Sequence, residues 1–198
     1  MNAQLILASA SPRRKELLDQ IGVRYIVHPV DIDETPKQAE AAKDYVIRVA
    51  AEKSKAGLET VDSLLPILAA DTSVVIDGQV LGKPENEAHA KEMMKQLSGR
   101  THSVYSAVSL RINDREAETK HFQALSLTEV SFRKITSTEI KGYWKTGEPQ
   151  GKAGGYAIQG LASIFVQSIN GSFSGVVGLP LFETAELLSK QGIIIRNE

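Results

Sequence analysis

The alternation of apolar and polar positions divides the chain into strand and helix signals that run from end to end, without a linker-like tract or a repeat. Gln4 to Ala8 is a short apolar run and reads as a buried strand. Ser11-Pro12 predicts a helix start, with Ser as N-cap and Pro at the first helical position; Leu17, Leu18 and Ile21 form its stripe, and Gly22 ends it. A strand signal over Tyr25 to Val30 leads into an acidic loop holding Asp31, Asp33 and Glu34. A second helix is predicted from about Glu40 to Lys55, with Val46, Val49 and Ala50 on one face. Ile67 to Ala70 reads as a short strand that stops at Asp71. Ser73 to Ile76 and Gln79 to Leu81 flank Asp77-Gly78, a strong hairpin signal.

Further on, Ala90, Met93, Met94 and Leu97 recur at helical spacing between Asn86 and Gly99. His102 to Leu110 and about Ala117 to Phe132 read as long strands joined through Asn113-Asp114. Thr136 and Glu139 make a capping box for a helix with Ile140, Tyr143 and Trp144. A glycine-rich stretch, Gly151 to Gly160, precedes a strand over Ser163 to Ile169, and Pro180 opens a last helix through Leu188. Strand–helix alternation broken by hairpins predicts an α/β fold with a mixed twisted sheet flanked by helices.

Composition narrows what such a fold can do. The 198 residues suit one domain spanning the chain, and 42% hydrophobic with 24% charged residues excludes disordered and membrane-spanning classes. With 23 Lys+Arg against 24 Asp+Glu there is no bulk positive field for nucleic acid, so phosphate chemistry requires a local cluster. The absence of Cys excludes disulfides, thiolate metal sites and thiol nucleophiles. No run is long and apolar enough for a bilayer, and Leu5 to Ala8 is too short for a secretory segment, so a cytoplasmic protein is expected.

Three clusters could carry chemistry. Ser9-Ala10-Ser11-Pro12-Arg13-Arg14 lies at a strand-to-helix junction, where unpaired N–H groups and the helix dipole attract anions. Arg13 and Arg14 oppose that dipole, a cost that a bound phosphate would reverse; a pair of solvated arginines is the equal alternative. Lys53 continues the stripe of Val46, Val49 and Ala50, either snorkelling to water or directed into a cleft. Asp71 ends an apolar run and suits a metal ligand or a proton acceptor, or simply a turn; Lys83 follows a strand in Gly82-Lys83-Pro84. No Walker A, G-x-G-x-x-G, H-E-x-x-H or G-x-S-x-G pattern occurs. Arginines, lysines and carboxylates fit a polyphosphate with a divalent cation.

Ser9-Ala10-Ser11-Pro12-Arg13-Arg14, Ala70-Asp71-Thr72, Gly82-Lys83-Pro84, Leu97-Ser98-Gly99-Arg100-Thr101-His102, Lys152 to Gly160 and Val177-Gly178-Leu179-Pro180 together resemble the Maf (septum-formation inhibitor) family. The resemblance covers essentially the whole chain in order. It implies an inosine-triphosphatase-like architecture with a central cleft between two lobes, and a nucleoside triphosphate pyrophosphatase that yields the monophosphate and pyrophosphate. By the matching motifs, Asp71 would accept the proton of the attacking water, with the alternative that it chiefly holds metal. Arg13, Arg14, Lys53 and Lys83 would hold the triphosphate, with Ser9 and Ser11 beside them. Glu34 and Asp71 would lie near a Mg²⁺ or Mn²⁺ ion. Arg13, Thr72 and Gln159 match positions tied to substrate choice, and Thr72 and Gln159 resemble the subgroup acting on dTTP and UTP, a house-cleaning role. Gln159 could pair its amide with the O4/N3–H edge of uracil or thymine, or be a polar loop residue. The family stretch often begins with Asp where Gly151 stands, which weakens any acidic role assigned there and no other.

The expected partner is a nucleoside triphosphate, with no nucleic acid or membrane, and a homodimer is plausible from the resemblance. Two rival readings remain: a non-catalytic nucleotide-binding regulator of septation, and the same enzyme with a 7-methyl-GTP preference.

Overall fold

In the computed structural model, which describes residues 2–112, 119–193 and 195, one mixed sheet runs through the chain. Its strands are β1 (Leu5–Leu7), β2 (Tyr25–Val27), β3 (Ile67–Ile76), β4 (Gln79–Leu81), β5 (Thr101–Ile112), β6 (Lys120–Phe132) and β7 (Val166–Asn170). The order is β2-β1-β3-β5-β6-β7, with β4 paired to β3. β1 pairs parallel with β2 and β3, and every other pairing is antiparallel. The helices are α1 (Pro12–Gln20), α2 (Ala42–Thr60), α3 (Glu87–Leu97), α4 (Ser137–Lys145), α5 (Phe173–Val177) and α6 (Leu181–Lys190). No helix among the described residues is long and apolar enough to cross a membrane.

Several expectations need correction. β3 does not stop at Asp71 but continues to Ile76, so Asp71 lies mid-strand. A chain reversal is not needed there, because β5 pairs with β3 from Ile67 to Val75 and satisfies its backbone through the polar positions. The second helix starts at Ala42 and reaches Thr60, the strand after Gly22 ends at Val27, and β7 begins only at Val166 after a 3₁₀ turn. The five-residue α5 has no counterpart in the sequence reading; a single turn carries too little periodicity to be seen. The Asn113-Asp114 turn falls outside the described residues.

The sheet's two faces explain where the core goes. Side chains alternate along β3: Ile67 and Ala69 face a cluster with Ile6, Ala8 and Leu58, while Leu68, Ala70 and Val74 join the large core beneath α3, α4 and α6. α2 packs on the first face through Val46 and Ala50, which meet Ala107 of β5. Gly57 lets it come close, since a Cβ there would sit 2.8 Å from Ile67 Cγ2. The Asp77-Gly78 hairpin and the Thr136–Glu139 capping box are both present, the latter through mutual side-chain bonds to backbone N–H groups.

One local feature of the topology makes the site. On the edge opposite β5, β3 pairs with β1 at Ile67 and Leu68 and with β4 at Val74 to Ile76. Between them, residues 69–73 have no strand on that edge among the described residues. That break, just past the carboxyl end of β1, is the kind of place where α/β sheets collect ligands.

Candidate active site

A cleft of about 560 Å³ opens at this break and gathers all ten residues singled out from the sequence: Ser9, Ser11, Arg13, Arg14, Glu34, Lys53, Asp71, Thr72, Lys83 and Gln159. Each comes from a different structural reason. Asp71 follows Ile67 and Ala69 on the face that meets α2, and its register partner is Ala107, which packs on Val46 and Ala50. Lys53, one turn beyond Ala50 on α2, therefore arrives at Asp71: its Nζ donates to Asp71 Oδ1 at 2.9 Å. The same ammonium lies 2.9 Å from Glu34 Oε1. Lys53 is thus buried in an ion pair, and the snorkelling alternative does not hold.

Asp71 is nearly inaccessible. Burial pushes its carboxyl upward, with Lys53 and Arg14 pulling the other way and Glu34 adding to the rise; the net direction is up. Thr72 points to the opposite face, where its hydroxyl meets the Ser106 hydroxyl at 3.0 Å, and Ser106 in turn donates to the Gly175 carbonyl of α5.

The two arginines at the start of α1 are held by carbonyls. Arg13 Nε donates to Val177 O and Arg14 Nε to Gly178 O at 2.9 Å, so the C-terminal end of α5 offsets part of the charge that the α1 dipole disfavours. Arg14 also donates to Ser9 Oγ at 3.0 Å, which receives the Ser11 N–H as well. Ser11 occupies the N-cap position, but its own side chain makes no cap bond. Burial lowers the Arg14 guanidinium from its ordinary range, and Arg13 adds to this while Asp71 opposes it.

The far wall is the glycine-rich stretch. Gly154 takes φ +66°, a conformation in which a Cβ would press into Val74, and its N–H donates to Gly82 O. This brings Lys152 into the cleft, where burial first and then Arg13 lower its ammonium. Gln159 stands exposed on the same wall. Sequence reasoning missed Lys152 and Tyr45 as cleft residues. Lys152 was legible only as part of a motif, and Tyr45 had no signal beyond helical spacing toward Lys53. Burial, then Asp71 and Glu34, push the Tyr45 phenol up to about 12.

Five cationic side chains and two carboxylates therefore share one cleft in a chain whose formal net charge is −1. The carboxylate pair fits a hard divalent cation, because one oxygen of each already converges on a single positive centre, Lys53 Nζ. No group of three or more acidic or imidazole side chains gathers among the described residues, so such an ion would take its other ligands from phosphate oxygens and water.

The fold and this cleft define an α/β protein suited to a polyphosphate. The chain belongs to the Maf-like protein family, whose model matches residues 4–191. It is 54% identical over 190 residues to a dTTP/UTP pyrophosphatase of Methylococcus capsulatus, covering 96% of this chain and 92% of that protein. A dTTP/UTP pyrophosphatase of Alkalilimnicola ehrlichii is 49% identical (94% and 92% covered), and one of Escherichia coli O157:H7 is 48% identical (93% and 91%). Among solved structures, a nucleoside-triphosphatase/dITP/XTP pyrophosphatase of Mycobacterium abscessus aligns at 16% identity with a TM-score of 0.46, covering 98% of this chain and 99% of that one.

Proposed function

We propose that this protein hydrolyses dTTP and UTP between the α- and β-phosphorus, releasing the monophosphate and pyrophosphate. The observation that carries this reading is the local gathering of Arg13, Arg14, Lys53, Lys83 and Lys152 around Asp71 and Glu34 on one cleft. Relatives at 54% and 49% identity bearing that activity in their names support the reaction and the base.

The side chains divide the work by chemistry. The arginines and lysines hold the triphosphate, with the Ser9 and Ser11 hydroxyls at the open end of α1. Phosphoryl chemistry depends on positioning and charge neutralisation more than on covalent intermediates, and cations fixed in a partly dry cleft supply both. Asp71 takes the proton of the water that attacks the α-phosphorus. Its burial favours the protonated form, as a base must at the end of that step. The electron pair of the broken P–O bond leaves with pyrophosphate. Glu34 and Asp71 would hold Mg²⁺ or Mn²⁺, which when bound neutralises phosphate charge and polarises the P–O bonds. Gln159, with Arg13 and Thr72, selects the base, its amide offering a donor and an acceptor to uracil or thymine.

The test is incubation with Mg²⁺ and a panel of dTTP, UTP, dCTP and 7-methyl-GTP, with pyrophosphate and orthophosphate assayed separately. Pyrophosphate from dTTP and UTP is expected, and chelation by EDTA should abolish it. Asp71→Asn should still bind nucleotide but turn over about 10²–10⁴-fold more slowly. Release of orthophosphate alone would exclude this bond; no product would leave a nucleotide-binding regulator; a 7-methyl-GTP preference would move the chain to another substrate class.

A further inference from the structure

Gln159 is exposed on a turn, yet reading a base edge by a two-point amide contact demands placement to within about half an ångström. The backbone around it is held from both sides by one pair of side chains. Glu148 Oε2 accepts the Leu161 N–H at 2.8 Å, and Oε1 accepts the Ala162 N–H at 3.1 Å. Oε1 also accepts the Tyr143 hydroxyl at 2.8 Å, and the Tyr143 oxygen receives the Ala157 N–H at 3.3 Å. The four bonds form a clasp over positions 157, 161 and 162, with Gln159 at its centre. Gly160 completes it, because a Cβ there would land on the Glu148 carboxylate. Glu148 sits just beyond α4, whose residue Tyr143 is buried in the core, so the clasp is anchored to the rigid body of the fold. The proposed chemistry uses neither side chain; the Glu148 backbone carbonyl accepts Lys152 Nζ at 2.6 Å, a contact that side-chain substitution leaves in place.

We propose that Glu148 and Tyr143 are positioning residues for base selection: they fix the turn that presents Gln159, and so set the preference for thymine and uracil over cytosine without touching the triphosphate. This rests on the pyrimidine reading above. It differs from a plain structural role, in which loss of the clasp would weaken every ligand of the cleft alike.

The experiment compares wild type with Glu148→Gln, Tyr143→Phe, Gln159→Ala and the Glu148→Gln/Gln159→Ala pair. Glu148→Gln keeps the shape but turns an amide NH₂ toward N–H donors. Binding of the non-hydrolysable α,β-methylene analogues of dTTP and dCTP is measured with Mg²⁺, together with competition by inorganic tripolyphosphate and steady-state kinetics. Glu148→Gln should reduce the dTTP-over-dCTP binding preference about tenfold and raise KM for dTTP, with kcat held within about threefold. Tripolyphosphate binding should stay within about twofold. Tyr143→Phe, which removes one hydroxyl and keeps the ring, should move the preference the same way by about threefold and covers the case in which Glu148→Gln does not fold. In the Gln159→Ala background, Glu148→Gln should change the preference no further. An unchanged preference in both single variants overturns the proposal, as does equal weakening of dTTP and tripolyphosphate or a full additional loss beside Gln159→Ala. Gln159→Ala with an intact preference overturns it too, because the clasp then has nothing to position. A wild type that binds with the expected preference but releases no pyrophosphate defeats the reaction instead, leaving the binding ratios to judge the clasp.

Discussion

His102 is a titratable side chain whose charge this fold accommodates poorly. It is 2% exposed, wedged edge-on against Phe132 and Tyr156, with Nε2 sharing a 2.8 Å hydrogen bond with the Tyr156 hydroxyl and Nδ1 without a partner among the described residues. Burial pushes it down to about 4. The unfolded chain takes up this proton near pH 6.5 and the folded one only near 4, so stability is full above 6.5, falls as pH drops between the two values, and levels off below. The loss is on the order of 3 kcal/mol. Urea unfolding at a series of pH values should therefore show a slope between pH 6.5 and 4 that flattens in His102→Asn, which keeps a side-chain donor. An unchanged slope would place the acid sensitivity elsewhere. Lys83 is the opposite case, exposed on the cleft rim, where its substitution leaves no cavity. Lys83→Ala should raise KM for dTTP, lower kcat, or both, while the melting temperature stays within about 1 °C of wild type. At this scale the sequence was informative about charge and silent about burial: a lysine after a glycine announces itself, whereas His102 looks like any of four scattered histidines until its neighbours are known.

Among the elements, α2 and β3 decide whether Lys53 and Asp71 meet. The helical stripe of Val46, Val49, Ala50 and Lys53 was legible in the sequence, and so was the apolar run that ends at Asp71. Their meeting was not, because it depends on strand register, which sets Asp71 beside Ala107, and on how closely the helix approaches the sheet. The same holds for the arginines of α1. Their cost at a helix start was readable, but the carbonyls of Val177 and Gly178 that offset it come from α5, 164 residues away along the chain. The closeness of α2 hangs on Gly57. In an exposed helix, Gly→Ala gains roughly 0.5–1 kcal/mol, whereas here the new Cβ would lie 2.8 Å from Ile67 Cγ2 and 3.1 Å from Ala8 Cβ. Ile67 lies in β3 and Ala8 directly follows β1, both buried with little room to move, and overpacking of this kind costs about 1–3 kcal/mol. Gly57→Ala should therefore destabilise on balance and reduce kcat by shifting Lys53 against Asp71. A thermal melt above wild type, with activity intact, would show that the helix can slide without consequence.

Across the whole molecule, the cleft draws its walls from separated parts of one sheet: the end of β1, the middle of β3, the turn beyond β4 and the glycine-rich stretch before β7. A ligand that touches all of them binds only when all are folded and in place, so its binding free energy should stabilise the chain as a unit. With Mg²⁺ and a non-turning-over variant such as Asp71→Asn, dTTP at 100 times its Kd adds about 2.7 kcal/mol. For a chain of this size that corresponds to a rise of about 5–11 °C in melting temperature. Calorimetry should record one transition before and after addition, moved intact. EDTA should lower the rise, since the phosphates then face the Glu34 carboxylate with no divalent cation between them. Inorganic tripolyphosphate with Mg²⁺ should recover a part of it, and the remainder measures what the nucleoside adds, which the proposal assigns to the wall around Gln159. Two transitions, of which only one moves, would mean that the halves on either side of the cleft fold separately, and that the break in β3 pairing is a boundary between units rather than a site cut into a single sheet.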